Sequence, residues 1–167
     1  MHRSVRSSTS AGVVRWALRG AAAGAAGTTA LYALTYLVMA VRARPASSTP
    51  TETVERLAGR AHLDIPGAGE SRANRLEGLA SLSGLATGVG LGLVLGVARA
   101  AGWRPGPVGG TLAAAAVALV GANGPMALLG VSDPRNWSAA DWAADLVPHL
   151  AYGAVTAAVL HGLDDTR

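Results

Sequence analysis

The chain has no cysteine, no lysine and no phenylalanine among its 167 residues. Without cysteine there are no disulfides, no thiolate metal sites, no iron–sulfur ligation and no cysteine nucleophile. Charged residues make up only 14% of the chain, and mean hydropathy is positive at +0.33, a balance opposite to that of disordered segments. No G-x-S-x-G elbow, no P-loop and no H-E-x-x-H pattern occurs anywhere, which removes the signatures of those enzyme classes. Gly88, Gly90 and Gly92 lack the full dinucleotide-loop spacing and lie inside an apolar run, so a nucleotide site is rejected there. Arginine stands wherever lysine would, and alanine and glycine fill about a third of the chain. That pattern is the codon usage of a high-GC genome.

Charge is missing in blocks. Gly20 to Val41 is 22 residues without a charge, Gly78 to Ala98 is 21, Pro105 to Ser132 is 28 and Leu146 to Leu163 is 18. A hydrocarbon core of about 30 Å needs about 20 helical residues. The expectation is an all-α, four-transmembrane-helix bundle, with spans at 20–41, 78–98, 106–131 and 139–163. A basic tail over 1–19 precedes it, a polar loop over 42–77 divides the first two spans, and 164–167 is a C-terminal tail. A secretory signal peptide or an organelle transit peptide is the competing reading of the first stretch. The apolar run is longer than the usual signal core, and no small-x-small site stands before Arg42. For the fourth stretch, a re-entrant or buried helix is the alternative. Trp137 and Trp142 precede it as an interfacial belt would, and Ser138 with Asp141 reads as a cap, giving a helix that spans. Pro148 is expected to kink it.

Within the long loop, Thr49-Pro50-Thr51-Glu52 reads as a capping box with proline at the first helical position. Val54, Leu57, Ala58 and Ala61 follow at helical spacing, which predicts a short amphipathic surface helix near 50–61. Asp64 to Ser71 reads as a turn. Seven arginines fall on each side of a four-span topology, so the positive-inside rule ties; the reading adopted places both termini inside. The arginines flank spans and suit anionic headgroups, and no basic patch with interleaved aromatics speaks for nucleic acid.

Gly84, Gly88, Gly92 and Gly96 repeat every fourth residue, and Gly20 with Gly24 gives the first span one unit of the same kind. In lipid, close backbone approach through small residues is what holds helices together. Gly106, Gly110, Ala114, Ala118 and Ala122 continue the theme in the third span. Either intramolecular packing or a glycine-lined homo-oligomer would use this ladder.

Polar groups at depth are the candidate functional residues. Asn123-Gly124-Pro125 interrupts the third span, and Pro125 frees a backbone carbonyl one turn earlier. Asp141, Asp145 and His149 recur at i+4 in the fourth span, and Tyr152 and Thr156 extend that face. Asp145 is placed to orient the His149 ring or stabilise its charged form. A proton relay, a divalent-cation site and a lipid-headgroup anchor are the uses open to that face. One helix rarely supplies a whole coordination shell, so no metal and no cofactor is expected. Asp133 and Arg135 read as turn contacts.

Asn74-Arg75, Asn123-Gly124-Pro125 and the run from Val147 to Gly153 together resemble a group of small, uncharacterised four-helix membrane proteins of high-GC Gram-positive bacteria. The resemblance covers most of 20–163 and implies a multi-pass plasma-membrane protein with no established activity. A non-enzymatic structural or accessory role is therefore expected, with membrane lipids and a second copy or another membrane protein as partners. A small transporter, channel or proton-conducting protein using Asp145, His149 and Asn123 is the alternative, and a lipid enzyme built on the Asp141–Asp145–His149 face stands behind it.

Overall fold

The computed structural model describes residues 3–164, with side chains from Ser10 onward. His2 and Arg167, and the side chains of Arg3 and Arg6, lie outside the described residues. Among the described residues five α-helices follow one another: α1 Arg3–Arg42, α2 Thr49–Arg60, α3 Gly69–Ala100, α4 Pro107–Leu128 and α5 Ala139–Asp164. A single 3-10 turn, Pro134–Asn136, precedes α5. Helices α1, α3, α4 and α5 are each long and apolar enough to cross a membrane. The chain is thus built as a multi-pass membrane protein.

Two helices, α1 and α3, run well beyond the spans expected of them. The basic segment expected as a tail is part of α1, and its Trp16 is buried in the core. Helix α3 starts nine residues before Gly78, so much of what reads as polar loop is the helix's wet first two turns. A span is defined by where charge stops, but a helix continues until a cap or turn ends it. Gly67 and Gly69 do this at the start of α3, with φ of 103° and 53°, a region that favours glycine.

The surface helix α2 lies where the periodicity places it, but its start differs. Ser48 is the cap residue and makes no capping bond to the backbone; its hydroxyl donates instead to the Glu52 carboxylate at 2.6 Å. The box expected from Thr49 is therefore shifted and incomplete. Thr49 is already inside the helix, and Pro50 occupies a first-turn position where its missing N–H costs nothing.

Packing runs through small residues. Helices α1 and α3 are antiparallel: Gly20 sits against Gly96, Gly24 against Gly92, and Thr28 against Gly88. A methyl group at Gly24 would stand 2.5 Å from the Gly88 carbonyl oxygen and 2.9 Å from the Gly92 Cα. Only backbone meets backbone there. Gly84 faces the Tyr32 ring, whose hydroxyl donates to the Ser81 carbonyl at 3.4 Å. Gly27 instead receives Tyr152 and Thr156 of α5. Helix α4 packs on α5 in the same manner, with Gly153 against Thr111 and Ala115, and Gly110 against Ala157. Ala114, Ala115 and Ala118 are buried, whereas Gly106 caps the helix from outside.

Large apolar side chains point the other way. Leu18, Leu37, Leu82, Val94, Leu112 and Val120 are all more than half exposed. An outward band of this kind on a water-soluble domain would be an aggregation surface. On helices of spanning length it is the face turned to lipid.

Candidate functional site

Helices α4 and α5 bring Asn123, Asp145 and His149 together. The Asn123 side-chain amide donates to Asp145 Oδ2 at 2.7 Å, across 22 residues of sequence. One turn further along α5, His149 Nδ1 lies 2.7 Å from the backbone carbonyl of Asp145. A carbonyl only accepts, so Nδ1 carries the proton and Nε2 is the free lone pair of the neutral ring. The Asp145 carboxylate stands 3.5 Å from Nδ1, within ion-pair reach if the ring is protonated. Side-chain exposure is 21% for Asp145 and 9% for His149, so the pair lies at the edge of the packed interior.

The local sequence explains this placement. Pro148 has no N–H, which leaves the Ala144 carbonyl without its i+4 donor, and His149 supplies a second donor to the neighbouring Asp145 carbonyl. Pro125 stands inside α4, which continues through it to Leu128. Gly121, one turn before, packs against the Leu91 side chain of α3.

Asp141 is not part of this group. Its carboxylate accepts from the Ser138 hydroxyl at 2.6 Å and the Ser138 N–H at 3.0 Å, and the Ser138 hydroxyl accepts from the Asp141 N–H at 3.2 Å. This is a reciprocal cap, and it occupies the side chain that periodicity alone would have placed beside Asp145. Tyr152 and Thr156 also separate from the carboxylate. Tyr152 is buried and donates to the Gly88 carbonyl of α3 at 2.7 Å, and Thr156 to the Ala23 carbonyl of α1 at 3.4 Å. They tie α5 to the two glycine-faced helices. Among the described residues, no three histidine, aspartate or glutamate side chains gather as a metal site.

Asp133 and Arg135 form the turn contact expected of them. The Arg135 side chain and its backbone N–H both donate to the Asp133 carboxylate and hold it below the usual carboxylate range. Beside them the Trp137 indole donates to Ser132 at 2.9 Å and packs edge-on against Trp142 with ring centres 5.1 Å apart.

A second cluster has no counterpart in the sequence reading. Arg99, at the end of α3, is 3% exposed and pairs with Asp164 at the end of α5. Arg104, from the short turn after α3, reaches the other oxygen of Asp164 at 2.8 Å. Trp16 lies under two guanidinium groups, Arg19 at 5.0 Å and Arg104 at 5.2 Å from the ring centre. Arg19 also donates to the Leu163 carbonyl at 3.3 Å. The signal that could have found it is Arg99 itself, a charge at the end of a glycine face where packing is tightest.

At the opposite end, Arg56 and Arg60 of α2 serve the C-terminus of α4. Arg56 donates to the carbonyls of Leu129 and Gly130 at 2.8 and 2.9 Å, and Arg60 to that of Leu128 at 3.3 Å. These are the orphan acceptors of a helix end, and cations suit the negative pole of its dipole. No family model, no curated protein and no solved structure matches this chain.

Proposed function

We propose that this chain is a small multi-pass protein of a bacterial plasma membrane, with a structural or accessory role and no chemistry of its own. Its four spans are read as a bundle packed through glycine and alanine, presenting leucine and valine outward to lipid or to a membrane-protein partner. The observation that carries this reading is how the deepest polar side chains are used: Tyr152 and Thr156 direct their hydroxyls to backbone carbonyls on α3 and α1. Polar groups used in this way act as interhelical ties, a known role in membrane helices. The glycine ladder supports the same reading, because Gly20, Gly24, Gly88, Gly92 and Gly96 meet each other inside one chain. Association with a partner is then assigned to the outer faces, not to the ladder.

The absence of native cysteine gives a clean test. Single cysteines at Tyr152 and Thr156, in membranes, are challenged from either side with an impermeant thiol reagent. Protection at both positions, with Leu82→Cys also unlabelled because it faces hydrocarbon, fits the accessory reading. Fast labelling at Tyr152 and Thr156 means a water-filled interior and overturns it.

The Asn123–Asp145–His149 contact favours a second reading, a proton-conducting or transport role. The Asp145 side chain is the more exposed of the pair, and Nε2 of the neutral His149 ring keeps its lone pair. Proteoliposomes carrying an internal pH dye would show a flux that Asp145→Asn removes.

A further inference from the structure

Helix α2 carries an apolar face that the protein leaves uncovered. None of its residues is buried, and Leu57 is 58% exposed. Between α2, the following loop and the first turns of α3 runs a groove of about 780 Å³, within the range of about 300–1,000 Å³ that takes a small organic ligand. Val54, Leu57 and Ala61 line it from α2 and its C-cap, Ile65 from the loop, and Leu79 and Leu82 from α3. Gly78 lies in it with nothing within 4 Å of where a Cβ would stand.

The groove belongs to a longer stripe. Leu79, Leu82, Ala86, Leu93 and Val97 follow at steps of three, four and seven along α3, and all are exposed. This face is opposite the one that packs on α1, so it is the lipid face of the span, and the groove is its upper end. Arg75 stands on the same stripe one turn before Leu79, outside the charge-free segment. Its Nη1 donates to the Pro66 carbonyl at 2.6 Å and to the Ser71 hydroxyl at 3.3 Å, which fixes the guanidinium over the groove. Among the described residues its bonds all run through Nη1, which leaves Nε and Nη2 without an acceptor, and no ion pair joins it to Asp64, which also lines the groove. An apolar trough open to hydrocarbon, with a fixed guanidinium at headgroup height, matches a phosphate ester on an acyl chain in order and in chemistry.

We propose that this groove is a binding site for one phospholipid of the host bilayer, with an acyl chain along Leu57, Leu79 and Leu82 and the phosphate on Arg75. The site depends on the chain spanning a membrane and not on the accessory role, so a proton flux in the experiment above would leave it standing.

The test uses the full chain in mild detergent, delipidated and titrated in native mass spectrometry with dioleoyl phosphatidylglycerol or with dioleoylglycerol, which lacks the phosphate. The wild type is expected to retain one phosphatidylglycerol about tenfold more tightly than the diacylglycerol, the worth of a charge-assisted hydrogen bond. Arg75→Gln should erase that difference. Gly78→Leu should fill the trough and lose both ligands, with an unchanged far-ultraviolet dichroism spectrum. That variant keeps the test informative if Arg75→Gln also loosens the Pro66 loop. Equal retention by wild type and Gly78→Leu would mean unspecific annular lipid and would overturn the site. So would a wild-type dimer that Gly78→Leu dissociates, since the occupant would then be a second copy.

Discussion

Adding one methyl group to Gly92 should destabilise the protein, whereas the same change two residues away should stabilise it. At Gly92 the new Cβ would stand 2.5 Å from the Gly24 Cα and 2.6 Å from its nitrogen, where ordinary contact begins at 3.4 Å. The obstacle is helix backbone, which has no rotamer to escape into, so α1 and α3 must part by about 1 Å. A gap of that size forfeits about a quarter to a half of each dispersion contact, each worth roughly 0.1–0.2 kcal/mol. Over about 40 atom pairs along the helix pair, the loss is about 1–4 kcal/mol, in line with overpacking costs of about 1–3. Alanine's better helix propensity returns up to about 1 kcal/mol, leaving a net loss of about 0–3 kcal/mol for Gly92→Ala, with a middle value of about 1.5–2. Gly90 has nothing within 4 Å of its Cβ position, so Gly90→Ala keeps only the propensity gain of about 0.5–1 kcal/mol. Equilibrium unfolding in mixed micelles, followed by tryptophan fluorescence and far-ultraviolet dichroism, reads both. Equal shifts for the two variants would refute the reasoning and reduce the fourfold glycine spacing to a by-product of composition.

Asp164→Asn leaves Arg99, 3% exposed, without its carboxylate, and should cost about 3 kcal/mol in the same assay; Arg104→Gln, at the exposed side of the cluster, should cost under about 1. Tyr152→Phe removes the donor to the Gly88 carbonyl and should cost about 1 kcal/mol, with helix content unchanged. The Asp133 carboxyl, held down by its bonds from Arg135, should titrate below the usual carboxylate range in a carbon-detected NMR titration, and Arg135→Gln should bring it back up. Because its folded-state value is lowered, the stabilisation it gives is present above the unfolded carboxylate's range and lost as pH falls through the lowered value.

What was readable in the sequence was what repeats or stops locally. Charge-free length gives the four spans, and the i+4 recurrence of Gly84 to Gly96 gives the packing face of α3. Helical spacing gives α2, and Ser138 with Asp141 gives the start of α5. The periodicity that united Asp141, Asp145 and His149 ignored a competitor: the cap at Ser138 takes Asp141 for itself. Gly27 lies only about 20° round a straight helix from Gly20, so spacing places it with the glycines that meet α3, yet it receives Tyr152 and Thr156 of α5, a tertiary choice that local spacing does not mark. Long-range ties were invisible. Arg99 and Asp164 are 65 residues apart and Arg56 and Leu129 are 73 apart, and no local pattern marks one as the other's partner.

The bonds from α5 to α1 set a clock on the chain's birth. The Thr156 hydroxyl that meets the Ala23 carbonyl lies 133 residues downstream of it, which at about 5–20 residues per second means roughly 7–27 s of synthesis. Until then α1 can pair with α3 through glycine, but its Gly27 notch stays open to lipid. A ribosome that stalls before α5 thus leaves a recognisable half-product, with a small-residue cleft that no sibling helix fills.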